Sequence, residues 1–76
     1  MKNSVRVERA KKNITQAGLA ELVGVSRQTI NSIELNKYIP STLLALRMSH
    51  LFGVSVNEIF ELEQEDLIEI ANGRDV

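Results

Sequence analysis

Thr15 to Glu34 reads TQAGLAELVGVSRQTINSIE, and its residues separate into caps, an inner face and an outer face. Thr15 and Ser26 each stand just before an apolar-patterned run, where a side-chain oxygen can accept one of the amides that a helix start leaves unpaired. Gly24 lies between the two runs and supplies the positive φ that stops the first. Leu19, Ala20 and Leu22 or Val23 form the inner face of a helix over residues 16–23, and Ile30 and Ile33 that of a helix over residues 27–35. Ala20 is small enough for two helices to cross closely there. Arg27, Gln28, Thr29, Asn31 and Ser32 project the other way, without one apolar member. Two short helices, a tight turn and a polar outer face make the layout of a helix-turn-helix able to enter the major groove of DNA.

The flanking sequence extends this pair into a bundle. A first helix is expected from about Ser4 to Lys12, ended by Asn13 in the left-handed conformation. Asn36 takes the same conformation in the loop from Asn36 to Pro40. Pro40-Ser41 opens a fourth helix running to Phe52, with Leu44, Ala45, Met48, Leu51 and Phe52 at helical spacing, and Gly53 ends it. Ser55-Val56-Asn57-Glu58 has the form of a capping box that launches a short fifth helix burying Ile59 and Phe60. The fold class is therefore all-α, five helices with a short C-terminal extension. Domain boundaries are expected at 1–61 for the helical domain and 62–76 for an acidic tail, through which either a strand or a helix can be drawn. Asn72-Gly73 would end either one.

The chain has 76 residues and no cysteine, so it has no disulfide framework and no thiolate metal site, in keeping with a reducing, cytoplasmic setting. No apolar run approaches a membrane span, and Met1-Lys2-Asn3-Ser4 does not read as the start of a signal peptide. The net charge of -1 hides an asymmetry: residues 1–47 carry eight Lys or Arg against three acids, for +5, and residues 48–76 carry one Arg against seven acids, for -6. A phosphate-facing surface is thus permitted at one end only. His50 is the only histidine, and its neighbour Ser49 cannot face it on a helix, so no catalytic couple forms there. The carboxylates after Glu58 have no His or Cys to share a metal with. No catalytic residue, metal site or cofactor is expected.

The segments LAELVGVSRQTI (19–30) and FGVSVNEIF (52–60), with the Glu34-to-Lys37 corner, resemble the phage-repressor and Cro-like helix-turn-helix family, the xenobiotic-response-element group in its short stand-alone form. The likeness covers residues 4–61 and implies a lambda-repressor-like DNA-binding domain. It implies that Gln16 hydrogen-bonds a phosphate and braces the recognition helix. It also implies that Arg27, Gln28 and Ser32 meet base edges, with Ser26, Thr29 and Asn31 beside them. Asn36 and Lys37 would contact phosphate through the loop. The chemistry agrees, since Arg suits guanine O6 and N7 while Gln or Asn suits adenine N6 and N7. Arg9 and Glu34 match a largely buried ion pair of relatives that locks the first helix to the end of the third. Three positions depart from the pattern. Glu8 stands where an aliphatic residue is usual, so helix one is expected to pack less fully. Gly18 replaces an acid and breaks a capping box with Thr15, costing up to about 1 kcal/mol of propensity. Leu35-Asn36 replaces Asn-Gly, so Asn36 must adopt the glycine's conformation.

The expected function is a sequence-specific transcriptional regulator, a repressor, bound to double-stranded DNA as a homodimer on a palindromic operator. The tail's aliphatics either fold back on the monomer's own core or pair with a second copy. The second is favoured, with Ile59, Leu62, Leu67, Ile68 and Ile70 as the expected dimer contacts and Leu43 and Leu46 also exposed for a monomer. The rival class is an antitoxin or co-regulator whose main task is to hold another protein, served by the acidic, aliphatic tail.

Overall fold

The computed structural model describes residues 1–67 and holds five α-helices among them, with one two-stranded sheet. In chain order these are β1 (Lys2–Asn3), α1 (Val5–Lys11), α2 (Gln16–Val23), α3 (Arg27–Glu34), α4 (Thr42–Phe52), α5 (Val56–Ile59) and β2 (Phe60–Glu61). A 3₁₀ turn over Gln64–Asp66 follows. The tail signals at Ile68, Ile70 and Asn72-Gly73 lie outside the described residues.

The caps explain where the helices begin. Thr15 accepts the Gly18 amide at 2.9 Å, Ser26 that of Thr29 at 3.1 Å, and Ser41 that of Leu44 at 3.1 Å. The Glu58 carboxylate accepts the Ser55 amide at 2.8 Å, as the box predicts. Ser4 precedes α1 but its hydroxyl donates instead to the Glu58 carbonyl, and Asn3 takes the cap's place by accepting the Val5 amide at 3.1 Å. Asn13 and Asn36 hold φ of 56° and 61°, and Gly24 and Gly53 hold 81° and 72°. The two asparagines thus do the glycine's work at both expected corners.

Gly18 has a packing reason as well as a propensity cost. A Cβ there would lie 3.2 Å from both Ile14 Cγ2 and Thr15 Oγ1, so a side chain would press on the residues that start α2. Gly24 carries the left-handed turn, and Arg47 Nη1 closes over it, donating to the Val23 carbonyl at 3.1 Å. That guanidinium satisfies an acceptor the helix C-terminus leaves unpaired.

The core is one cluster: Val5, Leu19, Ala20, Val23, Ile30, Ile33, Leu44, Met48, Phe52, Ile59 and Phe60. Every helix contributes to it, and the inner stripe of α3 is wholly buried. Of the pair left open on α2, Val23 turns inward and Leu22 is exposed. Glu8 is itself buried to 9 % exposure and reaches Lys11 at 3.3 Å, so α1 gives the core one fully buried apolar side chain, Val5.

Phe60 corrects the helical reading of its segment. It is buried, but as part of β2, because α5 stops after one turn and the chain extends. Lys2 pairs with Glu61 and Asn3 with Phe60, antiparallel, which brings the first residues against the end of α5. The Met1 nitrogen lies 3.0 Å from the Glu63 carboxylate and 2.6 Å from that of Asp66, holding the 3₁₀ turn to the same edge. Ile59 is also corrected: at 2 % exposure it belongs to the monomer's core and presents nothing to a second copy.

Candidate nucleic-acid interface

The candidate surface is built on α3, which the core grips along one side only. Ile30 and Ile33 are fully buried, and the side chains between them must point outward at 100° per residue. Arg27, Gln28 and Asn31 are accordingly exposed, and Thr29 and Ser32 are half-buried at the edges. Ser26 and Thr29 share a hydroxyl–hydroxyl contact of 2.9 Å at the start of the helix, so both are engaged in its cap. Asn36 and Lys37 are exposed just past its end.

A chain of polar contacts fixes α3 against α1 and α2. Arg9 Nε donates to Glu34 Oε2 at 2.8 Å and Nη2 donates to Oε1 at 3.1 Å, a two-point clasp. Its remaining arm, Nη1, donates to the Ile14 carbonyl at 2.9 Å. The pair is shielded, with side-chain exposures of 16 % for Arg9 and 6 % for Glu34. Burial alone would raise the Glu34 carboxyl, but hydrogen bonds from Arg9 and Gln16, with the charges of Arg9 and Arg6, outweigh it and hold Glu34 below its ordinary value. The Glu34 hydrogen bond raises the Arg9 guanidinium in turn, against some desolvation.

Gln16 joins α3 to this clasp. Its Nε2 donates to Asn31 Oδ1 and to Glu34 Oε1, both at 3.1 Å. The bracing role implied by the resemblance is visible in these two contacts. They also orient Asn31, which would otherwise sample several rotamers on an exposed face. At the other end of α3, Asn3 Nδ2 donates to the Ile33 carbonyl and to Asn36 Oδ1, both at 2.9 Å. Helix α3 is therefore held at its N-terminal cap, along its flank and at its C-terminal corner.

Of the expected site residues, Gln16, Arg27 and Asn31 converge on one cleft of about 500 Å³ with Arg9 and Glu34. Gln28 stands on the outer face beyond it, while Ser32, Asn36 and Lys37 lie toward the other end. The sequence reading missed Asn3 and Arg6. Arg6 lines the same cleft and sits three residues before Arg9 on α1. The i,i+3 spacing puts both arginines on one helix face and was the available signal. Asn3 had none for its contacts to Ile33 and Asn36, which are thirty or more residues away.

A rigidly braced, base-capable helix on a small helical domain defines the class: a helix-turn-helix transcriptional regulator with a DNA-binding fold. The comparisons agree. Residues 5–59 match the family described as Helix-turn-helix, and the chain belongs to that family. It is 47 % identical over 66 residues to an uncharacterized HTH-type transcriptional regulator of Methanocaldococcus jannaschii, covering 87 % of this chain and 100 % of that one. It is 44 % identical over 66 residues to the HTH-type transcriptional regulator YgzD of Bacillus subtilis, with the same coverage of 87 % and 100 %. Among solved structures it is similar to the SinR protein/SinI protein complex, with TM-score 0.69 and 27 % identity over 91 % of this chain and 68 % of that one. No described helix is long and apolar enough to cross a membrane.

Proposed function

We propose that the protein is a sequence-specific repressor that acts in the cytoplasm as a homodimer on a palindromic operator, each copy placing α3 in a major groove. The observation that carries this is the exposed trio Arg27, Gln28 and Asn31 on a helix whose opposite face is wholly buried. Such side chains have the donors and acceptors to read base edges, and a braced helix presents them in one register. Ser26, Thr29 and Ser32 border the reading face, and Asn36 and Lys37 lie where a loop meets phosphate. Occupancy of an operator excludes polymerase without asking anything more of the chain than grip.

Exposed leucines support the dimer. Leu43 and Leu46 on α4 and Leu22 on α2 line one apolar cleft, at 58 %, 54 % and 61 % exposure. Leu46 also borders a second cleft with Ile39 and Pro40. Leu62 and Leu67 are exposed as well, within the proposed 62–76 extension. Contiguous apolar surface of this kind marks an interaction site more often than chance exposure. A two-fold dimer would use the same patch on both copies. Sedimentation velocity tests this: the native chain should run as a dimer, and Leu43→Glu/Leu46→Glu as a folded monomer. A native chain that stays monomeric at concentrations saturating its DNA would refute the dimer.

A second reading keeps the DNA-binding fold but gives the leucine face to a different protein, as for an antitoxin or co-regulator. Its support is that the similar solved structure is titled as a complex of two proteins. A heteromeric complex recovered at fixed stoichiometry, lost with Leu43→Glu/Leu46→Glu, would favour it over the homodimer.

A further inference from the structure

We propose that Arg6, which lies outside the helix-turn-helix, seats a DNA backbone phosphate in the cleft between α1 and the recognition helix. The proposal rests on the reading that α3 enters the major groove and adds a contact to it. A helix with its side chains is about 10–12 Å across. The major groove is about 12 Å wide, so a helix that fills it is flanked by the two phosphate strands. A cleft along the flank of α3 must then face a strand of phosphates.

The lining of that cleft is suited to one. It contains three arginines, Arg6, Arg9 and Arg27, against one carboxylate, Glu34. Arg9 is consumed, its three nitrogens directed at Glu34 and the Ile14 carbonyl. Gln16, the residue the resemblance assigns to phosphate, directs its side-chain amide at Asn31 and Glu34. Arg6 is exposed and has no ion-pair partner within 4.0 Å among the described residues. It lines the cleft beside the clasp, and its charge adds a small part to the lowering of the Glu34 carboxyl. Arg27 is exposed and lines the same cleft from α3, so two arginines without an ion-pair partner among the described residues border it. Guanidinium matches phosphate with two parallel donors, which makes Arg the fitting residue for such a seat.

Fluorescence anisotropy on a labelled duplex of scrambled sequence, from about 50 to 200 mM salt, tests the assignment. Arg6→Gln should weaken binding and reduce the slope of log K against log salt by about 0.9, one phosphate's share. Across that fourfold salt range, the native advantage over the variant should shrink by about 3.5-fold, the same slope expressed as a ratio. Arg6→Lys should keep most of the slope, and Lys2→Gln, on β1, should keep all of it. A native slope in Arg6→Gln, beside a reduced slope in Lys37→Gln, would overturn the Arg6 assignment and leave the DNA reading intact. A lowered melting temperature in Arg6→Gln with the slope unchanged would overturn it too, by giving Arg6 a purely structural role beside Glu34. A native chain without salt-dependent DNA binding would overturn both.

Discussion

Arg9→Met is expected to destabilise the fold by about 3–5 kcal/mol, because it strands the Glu34 carboxylate in a nearly closed site. Glu34 is 6 % exposed and would keep only the Gln16 amide as a partner. A domain of this size has a total stability of roughly 4–11 kcal/mol, so this one change threatens a large part of it. The melting temperature should fall by roughly 12–40 °C. The double variant Arg9→Met/Glu34→Met should regain most of the loss, since an apolar pair of similar volume often replaces a buried ion pair without net cost. A single variant that melts within a few degrees of the native protein would show that the clasp does not hold α1 to α3. Acid should act through the same pair. The folded Glu34 value lies below the ordinary 4.5, so its contribution is fully present above about 4.5 and is lost as pH falls through the folded value. The native protein should therefore lose melting temperature on acidification more steeply than the double variant, in which the other carboxylates are unchanged.

Gln28→Ala should weaken binding to the cognate duplex by about 1–3 kcal/mol, roughly 5- to 150-fold, and leave binding to scrambled DNA nearly unchanged. Gln28 stands exposed on the outer face of α3, away from the residues that brace the helix, so its removal should not disturb the fold. Competition titrations with both duplexes report the difference directly. Equal losses on the two would remove Gln28 from base reading. Asn31→Ala is a less clean experiment, because it also releases Gln16 from one of its two contacts.

Much of this was legible before any coordinates, for a physical reason: helices are specified by neighbours in sequence. The caps at Thr15, Ser26 and Ser41, the left-handed corners at Asn13 and Asn36, and the α3 stripe all depend on residues within four positions. The Arg9–Glu34 clasp was reached through the resemblance, and its geometry came out as implied. What escaped was non-local. β1 and β2 are two residues each, too short for any alternation, and their pairing joins Asn3 to Phe60 across the whole domain. That pairing is why Phe60 left the helix. Ile59 was misjudged because an aliphatic side chain looks the same in sequence whether it faces its own core or another copy. Leu22 and Val23 were undecided because adjacent residues near a helix end can each be turned inward by a small rotation. Arg6 lies outside the helix-turn-helix, and the cleft that gives it meaning is made by three separate helices, so its place is not legible from neighbours in sequence.

Helix α3 is proposed to read sequence, and two copies to do so together. Selection of bound duplexes from a random library tests both at once. Enrichment of a two-fold symmetric site is expected, with half-sites centred about 10–10.5 bp apart, or a multiple of that. A single asymmetric site, or no enrichment over the starting library, would contradict it.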